Sequence, residues 1–385
     1  MTVADTALDS LIDQVRAARA DKTPLNILGG NTKAFYGEPP PAGPALATLD
    51  TRPLAGISSY EPSELVVTVR AGTPLAELEA ALAEQRQCLP FEPPRFASTN
   101  PAGGTVGGMV AAGLAGPARA AVGGLRDYVL GATLLTGRAE LLSFGGQVIK
   151  NVAGYDVSRL LAGSMGLLGV VCEVSLKVLP VAIATATLRF EQDEAAALKQ
   201  LNTWGGQPLP INASAWWDGM LVLRLSGAAA AVQSAVQKLG GEVVDPTLAA
   251  AFWTGLRDQA DEFFVKAGTA VAAGATLWRL ALPQTAAPMA LAGEHLVEWG
   301  GAQRWVVTTT PAAAIREAAA RAGGHATVFR SAGAGISQVN TAENGRAEAP
   351  RFASLSAPLM QIHRELKTAF DPDRIFNPGR LYAGL

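Results

Sequence analysis

The chain has little of what many active sites are built from: its 385 residues include only two cysteines and three histidines. Iron–sulfur clusters are normally held by four thiolates, so Cys88 and Cys172 cannot hold one by themselves, and they give no disulfide framework. Both sit in apolar settings and read as core residues of a reducing compartment. His295, His325 and His363 stand apart, none at metal-ligand spacing, and read as surface or satisfied core histidines. Long hydrophobic runs are missing as well. Glycine, Pro117, Arg119 and Arg126 break the longest small-residue stretches, so no membrane span is expected. Charged residues make up only 17%, the net charge is −2 and the basic residues are dispersed, which argues against a nucleic-acid surface. At the N-terminus, Leu8, Leu11, Ile12 and Val15 fall at helical spacing among acids and arginines. That pattern predicts an amphipathic surface helix, not a secretory signal, and a cytoplasmic protein.

What is abundant is apolar residues, 49% of the chain, and glycine, 41 in number. This length exceeds one ordinary core and suggests two domains. Glycine is concentrated in Ser98 to Gly113, STNPAGGTVGGMVAAG, where Gly103, Gly104, Gly107 and Gly108 leave the backbone almost bare. Without Cβ atoms, main-chain N–H groups can approach a phosphate or a flat ring, and successive free N–H groups form a positive nest. Glycine used for tight core packing gives the same letters, and both readings stay open at this point. A second such loop follows the short apolar strand Leu25 to Leu28. Gly29, Gly30, Asn31, Thr32 and Lys33 add amide, hydroxyl and ammonium donors to a glycine pair, as an anion cradle needs and as many hairpin turns also have. This second loop lacks the lysine-serine or lysine-threonine ending of a nucleotide P-loop and the spaced three-glycine dinucleotide fingerprint. Further on, Leu65 to Arg70 predicts a strand and Thr73 and Pro74 a helix start. Leu75, Leu78 and Leu82 form an apolar stripe, and a strand enters at Leu89.

Taken in order, SSYEPSELVVTVRAGTPLAELEAALAEQ, LPFEPP, NPAGGTVGGMVAAG and GYDVSRLLAGSMGLLGVVCEVSLKVLP resemble the FAD-binding domain of the vanillyl-alcohol oxidase (PCMH-type) flavoprotein superfamily. The resemblance covers Pro24 to Pro180. It implies a two-subdomain FAD-binding domain over residues 1–180, with the pyrophosphate against Gly29, Gly30, Asn31, Thr32 and Lys33. It also implies close backbone approach to the flavin and ribityl along Pro101, Gly103, Gly104, Thr105, Gly107, Gly108 and Gly113. A third segment would contribute Tyr155, Asp156, Ser164, Gly166, Gly169, Val170 and Val171. Tyr155 and Asp156 read equally well as caps of a turn before a helix at Ser158 to Leu161, and Val170 and Val171 as core strand residues too. Members that tether FAD through a loop histidine carry it near the first glycine pair. Asn31 stands there, so a non-covalent FAD is expected.

Beyond Pro180 the pattern changes to strand, helix, paired strands, helix and strand, a split βαβ unit of ferredoxin-like type. AFWTGLRDQADEFF predicts one helix, ATLWRLALP a strand and AAIREAAARAGG another helix. The fold class is therefore α+β, with a cap or substrate domain over 181–348 and a C-terminal segment, 349–385, returning to the FAD domain. Trp216, Trp217, Trp278 and Trp305 read as pocket lining or, more ordinarily, as core. In the tail, a helix from Ser356 to Phe370 precedes DPDRIFNPGR. That motif resembles the closing motif of the lactate and glycolate dehydrogenase branch and makes Asn377 a candidate flavin partner; Asp371-Pro372 and Asn377-Pro378-Gly379 are also ordinary turn formers.

Large flavin subunits and D-lactate dehydrogenases of that branch carry a histidine-rich cap motif, with a GDGN element, that binds a divalent metal and the 2-hydroxy acid. The corresponding region here reads FRSAGAGISQVNTAENG, and no metal is expected. A shorter flavin chain without that motif resembles the FAD-binding subunits of bacterial glycolate oxidases. This implies a complex with a larger flavin subunit and an iron–sulfur subunit, oxidising glycolate to glyoxylate by hydride transfer to flavin while a base takes the hydroxyl proton. Two alternatives remain. One is a self-sufficient FAD-dependent oxidoreductase of another small hydroxy acid or alcohol, which the missing histidine motif opposes. The other is a structural partner subunit with an inert or lost flavin, which the intact glycine loops oppose. If this chain binds substrate itself, a guanidinium should pair the carboxylate. Arg279 is the candidate catalytic residue, with Arg330 in reserve, although both also read as surface cations.

Overall fold

The structure, a computed structural model, describes residues 5–40, 46–97, 103–146, 156–332 and 349–385. Pro101 and Tyr155 lie outside the described residues. The chain begins with helix α1 (Thr6–Asp21), capped by the Asp5 carboxylate, which buries Leu11, Val15 and Ala18. Strand β1 (Leu25–Leu28) pairs in parallel with β2 (Ala47–Asp50). The far end of the chain joins them: Leu25 N donates to Ile375 O at 2.6 Å, and Asn377 N donates to Leu25 O at 2.9 Å. The N-terminal helix, the two strands and the C-terminal tail thus share one core, with Leu11, Val15, Leu49, Ile375 and Phe376 inside it.

Next come β3 (Ile57–Glu61), β4 (Val66–Arg70), α2 (Leu75–Glu84), β5 (Gln87–Cys88), α3 (Val106–Ala112), α4 (Arg119–Val122), β6 (Val129–Leu135), β7 (Leu141–Gly145), β8 (Val170–Lys177) and β9 (Leu179–Pro180). An antiparallel sheet runs β3-β4-β8-β6-β7. The stripe Leu75, Leu78 and Leu82 packs into the core beneath it, as its spacing predicts. The elements before β3 and this sheet with its helices thus have separate clusters of buried residues. Three local expectations change. Thr73 does not cap α2; Pro74 holds the cap position, and the Thr73 hydroxyl donates to Gly56 O at 3.1 Å and accepts from Gly56 N at 2.9 Å. Ser158 to Leu161 is a single 3-10 turn. The strand expected at Leu89 is Gln87–Cys88, which pairs with β9.

The cap contains β10 (Ala184–Glu191), α5 (Glu194–Gly205), β11 (Ile211–Trp217), β12 (Met220–Gly227), α6 (Ala229–Leu239) and β13 (Glu242–Val243). It continues with α7 (Pro246–Asp258), α8 (Glu262–Ala272), β14 (Thr276–Ala281), β15 (Glu294–Glu298), β16 (Gln303–Thr308), α9 (Ala312–Arg321) and β17 (His325–Ser331). All its strands form one sheet in the order β13-β10-β12-β11-β15-β16-β14-β17. Each half, numbered along the chain, has the strand order fourth, first, third, second. The halves meet antiparallel through their second strands, β11 and β15. The cap is thus two ferredoxin-like units fused edge to edge, the second having a loop where the first has α5.

Sequence reading missed β16 because all six of its residues are buried, Gln303 and Arg304 included, so it shows no alternation. The single helix expected over AFWTGLRDQADEFF is two. Gln259 turns left-handed at φ 57° and ends α7, and Asp261 then caps α8.

Helices α5, α6 and α9 cover one face of the cap sheet. The other face meets α7, α8 and the FAD-binding domain in a mixed core, where Tyr36, Phe96, Ala112 and Met165 pack with Phe263, Leu277, Trp305 and Phe329. The tail returns through helix α10 (Ala357–Phe370). Its Lys367 is buried, donating to Asp371 Oδ2 at 2.6 Å, Phe376 O at 2.7 Å and Leu167 O at 2.8 Å.

Candidate functional site

A cavity of about 230 Å³ opens where the first glycine loop, α3, the segment around Gly166 and the tail converge. Its floor is the turn after β1. Asn31 adopts a left-handed φ of 61°. Among the described residues, the N–H groups of Gly30, Asn31, Thr32 and Lys33 meet no protein acceptor. A run of unpartnered amides around a left-handed residue is an anion nest. Lys33 adds charge to it. Its ammonium lies 3.3 Å from Thr32 Oγ1 and 5.6 Å from the centre of the Phe96 ring. Burial lowers its pKa from 10.5 to about 8, with Asp258 opposing the shift. An anion in the cavity would restore the charge.

Why glycine occupies positions 29 and 30 is a matter of contact. A Cβ on Gly30 would lie 1.8 Å from Gly103 O, and one on Gly29 2.2 Å from Thr105 Oγ1. The two glycine loops rest directly on each other, so the packing reading and the ligand reading both hold, at different positions. Gly30→Ala is expected to cost at least about 1–3 kcal/mol through overpacking and to abolish FAD retention. Thermal melting and flavin content check this, and unchanged values for both would contradict the packing.

Thr105, Gly107, Gly108, Gly166, Gly169, Val171 and Asn377 line the same cavity. Other expected residues do not. Gly103 and Gly104 lie beneath the first loop, and Gly113 closes α3 with φ 62°. Asp156 lies one residue before the cap position of the 3-10 turn, held by Val157, and accepts from Ser158 Oγ at 2.9 Å and Arg159 N at 3.4 Å while pairing with the Arg159 guanidinium. Ser164 donates to Leu161 O. Val170 faces the α1 core while its neighbour Val171 faces the cavity, because successive strand residues point to opposite faces. Asn377 is a clasp: its Oδ1 accepts from Ile27 N at 2.8 Å and its Nδ2 donates to Met165 O at 2.7 Å. Arg351 and Arg380 also line the cavity. Sequence reading gave neither a role, although Arg380 ends the quoted motif DPDRIFNPGR.

Arg279 and Arg330 lie outside the cavity lining, on the cap sheet's face toward the first loop. Arg279 Nη2 donates to the Tyr36 hydroxyl at 3.0 Å. In β17 the register slips: Leu277 pairs with Arg330 and Trp278 with Val328, leaving Phe329 as an extra residue. This bulge turns Arg330 toward the same face as Phe329, 3.8 Å from the centre of the Phe35 ring, with Gln259 Oε1 accepting from it at 3.0 Å. Burial lowers the Arg330 pKa to about 10. Trp278 and Trp305 are core residues, and no group of histidines, cysteines and acids among the described residues is suited to a metal.

A family model described as an FAD binding domain matches residues 2–145. The glycolate oxidase subunit GlcE of Escherichia coli is 46% identical over 98% of this chain and 97% of its own length. The chain belongs to the GlcE family. Within this wider group, the glycolate oxidase subunit GlcD of Bacillus subtilis is 30% identical over 37% of the chain and 29% of its own length. A D-lactate dehydrogenase of Anaerostipes hadrus is 29% identical over 46% of the chain and 35% of its own length. Among solved structures, an alkyldihydroxyacetonephosphate synthase covers 96% of this chain and 74% of its own with a TM-score of 0.60; at 15% identity it shares the fold. FAD is accordingly the cofactor of the N-terminal domain, and the nest, Lys33 and the glycine-lined wall suit its diphosphate.

Proposed function

We propose that this chain is the FAD-binding subunit of a glycolate oxidase complex that oxidises glycolate to glyoxylate, together with a larger flavin subunit and an iron–sulfur subunit. The observation that carries it is the anion nest with Lys33 at the cavity, in a chain nearly half identical to GlcE along its whole length. A cytoplasmic location belongs to the same proposal; no helix among the described residues is long and apolar enough to cross a membrane.

When bound, FAD supplies a hydride acceptor for the oxidation of an α-carbon. The chain's own contribution is positional. Amides of Gly30 to Lys33 and the Lys33 ammonium hold the diphosphate. The mixed core of Tyr36, Phe96, Trp305 and Phe329 closes the domain junction against water. The tail, through Asn377, ties β1 to Met165 beside Gly166.

The test is the visible spectrum of the chain alone, without air, as glycolate is added, repeated with the assembled complex. Flavin that stays oxidised in the isolated chain and is reduced in the complex is expected. Reduction in the isolated chain would overturn the subunit assignment in favour of a self-sufficient enzyme. One observation favours that second reading: among the described residues, Arg279 and Arg330 face the cofactor loop with neutral partners only. Under it, Arg279→Met and Arg330→Met each raise the KM for the hydroxy acid by about tenfold or more.

A further inference from the structure

Arg380 lies at the cavity edge, yet among the described residues its guanidinium meets only carbonyl oxygens. Nη2 donates to Ala34 O at 2.5 Å and Tyr36 O at 2.7 Å, and Nη1 donates to Glu38 O at 3.0 Å. The backbone answers in kind, Glu38 N donating to Arg380 O at 2.9 Å. Between them Gly37 has φ 110°, and a Cβ there would lie 2.9 Å from Arg380 Nε. The segment that follows Lys33 directly is therefore wrapped around one side chain from the opposite end of the sequence.

We propose that Arg380 is the positioning residue of the cofactor loop, gathering the carbonyls of Ala34, Tyr36 and Glu38 so that Lys33 and the amides before it face the diphosphate. A carbonyl turned toward the guanidinium is turned away from the bound anion, which it would otherwise repel. The planar fork of arginine can hold three acceptors in fixed directions, whereas a lysine ammonium on a flexible stem cannot fix the same arrangement. Burial and the neighbouring Arg351 lower the Arg380 pKa to about 10, opposed by Glu38, so it remains charged at neutral pH.

The inference rests on the reading of the cavity as the FAD site. Its test uses the full chain with Arg380→Lys, which keeps the charge, and Arg380→Gln, which keeps two donors. The readouts are FAD affinity by fluorescence titration and melting temperature with and without FAD. Both variants are expected to bind FAD about tenfold more weakly or worse, from the loss of preorganisation, with the FAD-loaded chain losing more melting temperature than the flavin-free chain, which is lowered only by the carbonyls left unpaired. Unchanged FAD affinity, with melting lowered equally in both states, would show a merely structural arginine and overturn the proposal. A wild-type chain that takes up no FAD would overturn the cofactor reading itself, and this inference with it.

Discussion

Lys33→Met is expected to weaken FAD binding about 100-fold, a loss of about 2.8 kcal/mol, and to remove most of its pH dependence. The ammonium is the one cationic side chain on the turn that carries the unpartnered amides, and burial has already lowered its pKa to about 8. In the flavin-free protein it loses its proton near that pH. Below pH 8 the turn already carries its ammonium charge before FAD arrives. Above it, binding the diphosphate requires taking up a proton, so affinity falls as pH rises, by up to about tenfold per unit. Titrations of both proteins from pH 6.5 to 9.5 check this. A methionine variant with wild-type affinity, or with the wild-type slope above pH 8, would place the diphosphate elsewhere.

Lys367→Met is expected to lower stability by about 3–5 kcal/mol, because it leaves Asp371 as an uncompensated buried carboxylate. Both groups are buried, at 2.6 Å, and burial lowers the Lys367 pKa against the opposing pull of Asp371. The Asp371 carboxylate also accepts from Ile375 N at 3.1 Å and Phe376 N at 2.9 Å, which shapes the tail that pairs with β1. The double variant Lys367→Met, Asp371→Leu should recover only part of the loss, since it leaves those two amides unpaired. Urea unfolding of the three proteins measures it. Full stability in the single variant would mean the tail is held by its apolar residues alone.

These two lysines also show where the sequence was readable. Lys33 stands beside a glycine pair after a strand, and the family resemblance implies a pyrophosphate partner for that turn, so its place beside the cavity was expected from the sequence. The place of Lys367 was not. It occupies one position of an amphipathic helix, and nothing in its spacing says that it reaches Phe376 O and Leu167 O. Arg380 was hidden similarly, since its role depends on a contact with Ala34 to Glu38 across nearly the whole chain. Within the cap, the first ferredoxin-like unit alternates openly, and its strands and helices lie where the pattern puts them. The second could not be read in the same way, because β16 is buried throughout and the bulge at Phe329 breaks the period of β17. Val170 and Val171 show the finer limit: adjacent strand residues of the same type face different cores, and a motif match cannot say which one meets the ligand.

The most direct measurement is a titration of flavin-free chain with FAD at pH 7, followed by acid denaturation of the product. The account expects saturation at one FAD per chain and all of the flavin released into the supernatant, because Asn31 stands where a tethering histidine would be. Flavin retained on the precipitated protein, or no saturable binding, would contradict it.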